Sequence, residues 1–430
     1  MTIAALMFPA LFVLVLTGIP IAFSLAIVSA AAGIAKFGPN AFAQLYGAFY
    51  SASTNFILAA IPMFVLMGAI LERSGIAERL FKVMQIWMSR LPGGLAVATI
   101  AMGAVFAAAA GVVGAVEVMI GMMAIPAMQR GGYRNSQIAG TICAGGSLGT
   151  MIPPSVIAVM YASLAQMSVG ELLAGMMLPG LLMVGLFIIY LIIQGVLAPP
   201  QPTQDFVEPE MPLGEKLRIT VTSLLPICAL IFAVLGSLLA GAASVGAVGA
   251  TLLSIFYGRF NLAMLFESLK ITVRISAMIL LIVAAGTMFM GTFAANGGSR
   301  MIRSFIEAAG FGDTGMIIFF LFIVLLLGFV LDWTANVLIA VPLFTPFIRS
   351  AGIDPVWFGT MMIIVIQTSY LTPPMASSIF YLKSIAPPDM TYGQMCRGVV
   401  PFILLQIATL LAVALFPALS TWLPSQIVGF

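Results

Sequence analysis

The chain has 430 residues, of which 62% are hydrophobic and 7% charged, with a formal net charge of +3. Soluble domains average about 25% charged residues, so so few charges do not cover a water-facing surface, and the chain reads as an all-α integral membrane protein. The scattered cations make no basic face for nucleic acid. Histidine is absent, which removes the usual neutral-pH proton shuttle and the commonest transition-metal ligand.

A helix needs about 20 apolar residues to cross a bilayer. On that ruler the spanning segments fall at 4–35, 92–129, 172–198, 219–257, 315–348 and 396–422. Several exceed one crossing and are therefore tilted, kinked or folded into two helices at a tight turn. The first carries no charge before Lys36 and reads as a membrane helix rather than a cleaved leader. Segments 41–50 and 261–275 mix apolar residues at helical spacing with polar ones, the pattern of interfacial helices.

Two further segments, about 51–72 and 276–298, are apolar but interrupted, by Pro62 in the first and by Gly286 and Gly291 in the second. They end in Glu72-Arg73-Ser74-Gly75 and Asn296-Gly297-Gly298. These are expected to be re-entrant hairpins, with a plain kinked span as the alternative. Cys143, Cys228 and Cys396 sit in or beside apolar stretches without metal-ligand spacing, and read as small packing residues.

The hydrophilic passage 199–218 contains five prolines and divides the chain near its middle. The halves it joins, 1–198 and 219–430, align in order. Pro153-Pro154 returns as Pro373-Pro374, Pro126 as Pro346, Gly132 as Gly352 and Tyr161 as Tyr381, all 220 positions on. Gly68, Gly75, Gly170 and Gly175 return 223 positions on as Gly291, Gly298, Gly393 and Gly398. An ordered set of this kind is a duplication, as in transporters built from repeats. The loop after Glu72 carries Arg73, Arg79, Lys82 and Arg90 and is expected in the cytoplasm, whereas its counterpart offsets Arg300 and Arg303 with Glu307 and Asp313. That asymmetry favours inverted repeats.

Each proline pair lies in an apolar stretch and breaks its helix, at about 137–165 and 356–386. Such breaks are tolerated where they are buried or line a cavity, and paired breaks point to a midplane site. Around them stand Gly146, Ser147, Gly149, Thr150, Ile152 and Ser155 in the first half, and Thr368, Ser369 and Thr372 in the second. Freed carbonyls and hydroxyls suit a small hard cation such as Na⁺, and half-helix N-termini suit an anion. The simpler reading is that Ser and Thr only repair the broken helix.

Pairing each break with the hairpin of its own half gives two candidate cation sites. Site 1 joins Ser53, Thr54 and Asn55 to Gly146, Ser147, Gly149, Ile152 and Pro153; site 2 joins Gly286 and Thr287 to Thr368, Ser369, Thr372 and Pro373. Asp332, with Asn336 one turn on, is a carboxylate inside an apolar stretch and therefore a candidate functional group. Glu117 is 215 positions before it, not 220, so the two are not equivalents, and Glu117 is not assigned a role. A phosphate-binding Gly-rich loop ending in Lys-Ser/Thr is absent, so energy is expected from an ion gradient or a partner.

Leu148-Gly149-Thr150-Met151-Ile152-Pro153-Pro154-Ser155 with Tyr161, Ala60-Ile61-Pro62-Met63-Phe64, Gly352-Ile353-Asp354-Pro355, Leu371-Thr372-Pro373-Pro374 and Pro387-Pro388-Asp389-Met390 resemble the large membrane (M) subunit of tripartite ATP-independent periplasmic (TRAP) transporters over nearly the whole chain. The resemblance implies an elevator, with a scaffold holding a transport domain of two hairpins and two broken helices. It implies Na⁺ as coupling ion, no other cofactor and no enzyme activity. Its implied partners are a periplasmic substrate-binding (P) protein delivering an organic acid, such as sialic acid or a C4-dicarboxylate, and a separate four-helix membrane (Q) subunit in a bacterial inner membrane. By motif, Ser155, Asp332 and Asn336 take a substrate-facing role. The segment Gly111-Val112-Val113-Gly114 departs from the family, whose members often carry hydroxyls there. A stand-alone ion-coupled carboxylate carrier of related architecture is the alternative.

Overall fold

The computed structural model describes residues 2–88, 90–110, 113–201, 212–239, 244–374 and 376–427. Helix is the regular secondary structure of the described residues, with no strand among them. Most of the polar linker, 202–211, and the departing pair Gly111-Val112 lie outside the described residues.

The first half runs through α1 (Thr2–Leu16), α2 (Ile21–Phe37), α3 (Ala41–Ser53), α4 (Ala60–Arg73), α5 (Ile76–Met88), α6 (Gly94–Ala110), α7 (Val113–Arg130), α8 (Asn135–Ser147), α9 (Val156–Ala165) and α10 (Val169–Leu197). The second runs through α11 (Leu213–Leu239), α12 (Ser244–Phe256), α13 (Leu262–Ala295), α14 (Gly298–Ala309), α15 (Asp313–Gly328), α16 (Trp333–Ser350), α17 (Pro355–Leu371), α18 (Ser377–Lys383), α19 (Tyr392–Leu415) and α20 (Ala418–Ile427). The duplication is visible element by element: α2 matches α12, α3 with α4 matches α13, and α5 through α10 match α14 through α19. Local chemistry starts equivalent helices alike. Ser168 caps α10 by accepting from the Glu171 amide at 3.3 Å, and Thr391 caps α19 by accepting from Gln394 at 3.4 Å.

Both expected hairpins fall elsewhere. Residues 276–295 belong to one unbroken helix, α13, which also absorbs the expected interfacial segment 261–275. Gly286 and Gly291 do not interrupt it, because a helical glycine costs only about 1 kcal/mol relative to alanine and here allows close packing. A Cβ on Gly286 would stand 3.2 Å from Leu338 of α16. In the first half, 51–72 straddles the end of α3, a 3₁₀ turn at Phe56–Ala59, and α4. Pro62 does not break α4, since it sits in the first turn, where a missing N–H is harmless. The paired short helices are instead α6 with α7 and α15 with α16, within two of the long apolar stretches.

The two halves interlock reciprocally. α8 packs on α19 and, in exchange, α10 packs on α17, the mark of a two-fold relation. Glycines make the crossings possible. A Cβ on Gly140 would lie 2.0 Å from the Gly398 carbonyl oxygen, and one on Gly398 would lie 2.0 Å from that of Ser136. Its equivalent Gly175 meets Val356 of α17 at 2.4 Å from the same constructed position. Small residues let backbones approach where lipid removes any hydrophobic drive between helices. Ile21–Ser53, Phe56–Arg73, Val169–Leu197, Leu262–Ala295 and Tyr392–Leu415 are each long and apolar enough to cross a membrane.

Candidate substrate and ion site

Each proline pair lies between the end of one helix and the start of the next. α8 ends at Ser147, a 3₁₀ turn covers Leu148–Thr150, and α9 starts at Val156. α17 ends at Leu371, and α18 starts at Ser377. The Pro153-Pro154 and Pro373-Pro374 bonds are both cis. Hydroxyls repair the freed backbone at each end. Ser147 Oγ donates to Ala144 O (2.8 Å), Thr150 Oγ1 to Ser147 O (2.8 Å) and Ser155 Oγ to Thr150 O (2.8 Å). In the second half Thr368 donates to Ile364 O, Ser369 to Ile366 O and Thr372 to Thr368 O, at 2.8, 2.8 and 2.7 Å. Each hydroxyl spends its proton this way and keeps lone pairs on an oxygen beside a helix break.

The breaks meet at the axis relating the halves. Gln367 Nε2 donates to Ser147 Oγ at 3.1 Å, and these are equivalent residues 220 positions apart. Equivalent side chains touch only beside such an axis. Gln406 Nε2 of α19 approaches the same hydroxyl at 3.4 Å, and the Oε1 atoms of both glutamines are buried without a partner.

The short helix pairs close around this centre. α15 and α16 bring Gly328 and Asn336 against the second break: a Cβ on Gly328 would lie 2.1 Å from Ser369 Oγ and 3.2 Å from Asn336 Nδ2. Asn336 is fully buried; its Nδ2 donates to Val324 O at 2.8 Å, while its Oδ1 has no partner. Asp332, partly exposed, caps α16 by accepting from the Thr334 amide at 3.1 Å, which leaves it at the turn between the two helices. Asn336 and Ser369 are thus brought together, with Asp332 one turn before Asn336 at the start of α16. Across the halves, Arg349 of α16 donates to Ala165 O and Gln166 O at 2.5 and 2.8 Å, closing the C-terminus of α9 with a positive charge.

Other predicted residues are held apart from the breaks. Ser53 and Thr54 are exposed and donate back to Phe49 O and Tyr50 O of their own helix. Asn55 donates to Ser163 Oγ of α9 at 2.8 Å and accepts from the Ile57 amide at 3.0 Å. Its hydrogen bonds splice α9 to the turn before α4 and involve neither Ile152 nor Pro153. Thr287 donates to Ala284 O (2.8 Å) and Val283 O (3.0 Å), and Gly286 faces Leu338, not Thr368, Thr372 or Pro373. Gly146 and Gly149 are buried at the first break, and Ser155 is wholly buried within it.

The residue that sequence reasoning left without a role is central here. Glu117 of α7 is fully buried and accepts from Ser378 Oγ of α18 at 2.5 Å and from Tyr370 Oη of α17 at 3.1 Å. It fits because position 146 has no side chain; a Cβ there would lie 1.9 Å from Glu117 Cγ. The rule that singled out Asp332, a carboxylate inside an apolar stretch, also points to Glu117. The contact of Ser147 with Gln367 had a signal too, in the repeat offset itself.

Known proteins agree with this architecture. The chain of the Alcanivorax borkumensis YdaH transporter superposes with a TM-score of 0.67 over 97% of this chain and 98% of that one, at 14% identity, which shows a shared fold. The C4-dicarboxylate TRAP transporter large permease protein DctM of Pseudomonas aeruginosa is 30% identical over 410 residues, 92% of this chain and 93% of that protein. The sialic acid TRAP transporter large permease protein SiaM of Vibrio cholerae is 27% identical over 431 residues, 97% of each chain. The family model for the tripartite ATP-independent periplasmic transporter, DctM component, matches residues 8–419. The chain, a multi-pass membrane protein, therefore belongs to the DctM-component family of tripartite ATP-independent periplasmic transporters.

Proposed function

We propose that this chain imports a small organic acid across a bacterial inner membrane, coupled to Na⁺. A periplasmic binding protein hands over the substrate, and a separate small membrane subunit completes the assembly. The observation that carries the reading is the convergence of two broken helices on one axis, each lined by hydroxyl oxygens beside unwound backbone and each closed by a helix pair. Oxygen-rich, irregular backbone inside an apolar protein is how membrane carriers replace the hydration shell of an ion. The names of the relatives, dicarboxylate and sialic acid permeases, support an organic acid as cargo.

In this reading α6 through α9 and α15 through α18 form the moving unit. It is tied together across the halves by Glu117 to Tyr370 and Ser378 and by Arg349 to the end of α9. The helices α3 with α4 and α13 are the arms, and the α6–α7 and α15–α16 pairs are the re-entrant hairpins of inverted repeats. Na⁺ sites fall at Ser147, Gly149, Ile152 and Pro153 and at Thr368, Ser369, Thr372 and Pro373, with Ser155, Asp332 and Asn336 toward the substrate. Ser53, Thr54, Asn55, Gly286 and Thr287 serve the arms instead.

The test is uptake into vesicles holding the chain with its small subunit, using the radiolabelled ligand of the cognate binding protein. Uptake is expected only with an inward Na⁺ gradient and the binding protein together. Equal uptake without the binding protein would favour a stand-alone carrier, and equal uptake in K⁺ would refute Na⁺ coupling.

A further inference from the structure

Gln367 and Gln406 are wholly buried, and each leaves its carbonyl oxygen Oε1 without a partner. Burying an amide with its acceptor unused is costly, so two such acceptors side by side mark a place built for a group that they can hold. They belong to one cluster. α8 supplies Ser147, α17 its equivalent Gln367, and α19 Gln406. α10, the counterpart of α19, supplies Met183, whose sulfur accepts from Gln367 Nε2 at 3.3 Å. All four side chains are fully buried.

The hydroxyl at the centre is saturated. Ser147 Oγ donates its proton to Ala144 O at 2.8 Å and accepts from Gln367 Nε2 at 3.1 Å and Gln406 Nε2 at 3.4 Å. A hydroxyl has one proton and two lone pairs, so in this arrangement Ser147 has no lone pair left for an ion. Ser147 is also the residue read as a Na⁺ ligand at the first break. A terminal amide resolves that conflict, because rotation about its last side-chain bond, a broad two-fold torsion, exchanges nitrogen and oxygen. With Nε2 inward, the positive end of the amide occupies the hydroxyl lone pair. Turned, the amide frees that lone pair and sets Oε1 beside it. Hydroxyl and amide oxygens are neutral ligands, which suit a small monovalent cation, and the group contains none of the carboxylates that divalent cations take.

We infer that Gln367 and Gln406 are further ligands of the cation site at the first break, and that their amides turn Oε1 toward Ser147 when the site loads. Loading and unloading then exchange one partner of the Ser147 hydroxyl for another. This rests on reading the first break as a Na⁺ site, and it adds two side chains from the other half of the chain.

The test uses the full chain with its small subunit in lipid nanodiscs, without substrate, in NaCl against KCl at equal ionic strength. Na⁺ is expected to raise the melting temperature of the unaltered complex above that in K⁺. Gln367→Met and Gln406→Met, similar in size but without the amide, should each need a roughly tenfold higher Na⁺ concentration for half of that rise. Thr409→Val is the control, on α19 one turn from Gln406, with its hydroxyl bonded to Leu405 O of its own helix. It should lower the melting temperature in both salts and leave the Na⁺ rise intact. In complexes carrying carbon-13 at the glutamine side-chain carbonyl, the Na⁺-minus-K⁺ infrared spectrum should show a shifted amide C=O band that disappears in the double methionine variant. A Na⁺ rise undiminished in both methionine variants overturns the proposal and leaves the Na⁺ reading standing, as does absence of that band. A water held by the same oxygens would make the two salts equivalent. If neither melting nor uptake of the unaltered complex responds to Na⁺, the Na⁺ reading itself falls and the proposal with it.

Discussion

A methyl group added at Gly146 has nowhere to go, because its carbon would lie 1.9 Å from Glu117 Cγ on the neighbouring helix. Overpacking of this kind costs about 1–3 kcal/mol, so Gly146→Ala is expected to lower the melting temperature of the purified chain. Glu117→Ala opens the space, and the double variant should lose less stability than the two single losses summed; simple additivity would contradict the contact. At this scale the sequence was informative where one residue declares itself. Asp332 is a lone carboxylate in an apolar run and lies in the turn between α15 and α16, as the N-cap of α16. Glu117 satisfies the same description, but its equivalent 220 positions on is Val337, so a search guided by symmetry passes over it. The partners Tyr370 and Ser378 lie more than 250 positions away, and no local pattern encodes such a contact.

Among elements, the arms differ between the halves. The second is the single helix α13, whereas the first is spliced at Asn55, which caps the turn into α4 and binds Ser163 of α9. Asn55→Ala is expected to destabilise the chain by about 1–2 kcal/mol through the lost cap and hydrogen bond, with Ser163→Ala costing less and the pair coupled in a double-mutant cycle. Arg349→Met removes the charge that closes α9 and is expected to cost about 1–2 kcal/mol, read as a lower melting temperature. The breaks at Pro153 and Pro373 were legible because two consecutive prolines interrupt any helix. The short helix pairs were not, because nothing in the residue types separates a glycine that ends a helix from one that lets a helix pack. Gly286 is of the second kind, and Pro62 lies in a first turn that tolerates it.

For the molecule as a whole, the duplication was readable from spaced glycines and prolines, and the structure gives those residues their reason. Gly398 and Gly175, 223 positions apart, are the contact points where each half crosses the other. Gly398→Val would drive a side chain into the Ser136 carbonyl, and loss of the monodisperse folded protein in size-exclusion chromatography is the expected result. How the halves interlock was not readable, since helix partners are chosen by packing between segments far apart in the chain. The central claim is that the hydroxyl-lined breaks bind the coupling ion. It is tested most directly by the Na⁺ dependence of substrate uptake in vesicles containing the complex with Thr372→Val, a variant of nearly the same shape that lacks one oxygen at the second break. Loss of one ligand oxygen, about 1.4 kcal/mol, corresponds to a roughly tenfold rise in the Na⁺ concentration for half-maximal uptake; an unchanged Na⁺ dependence would contradict the account.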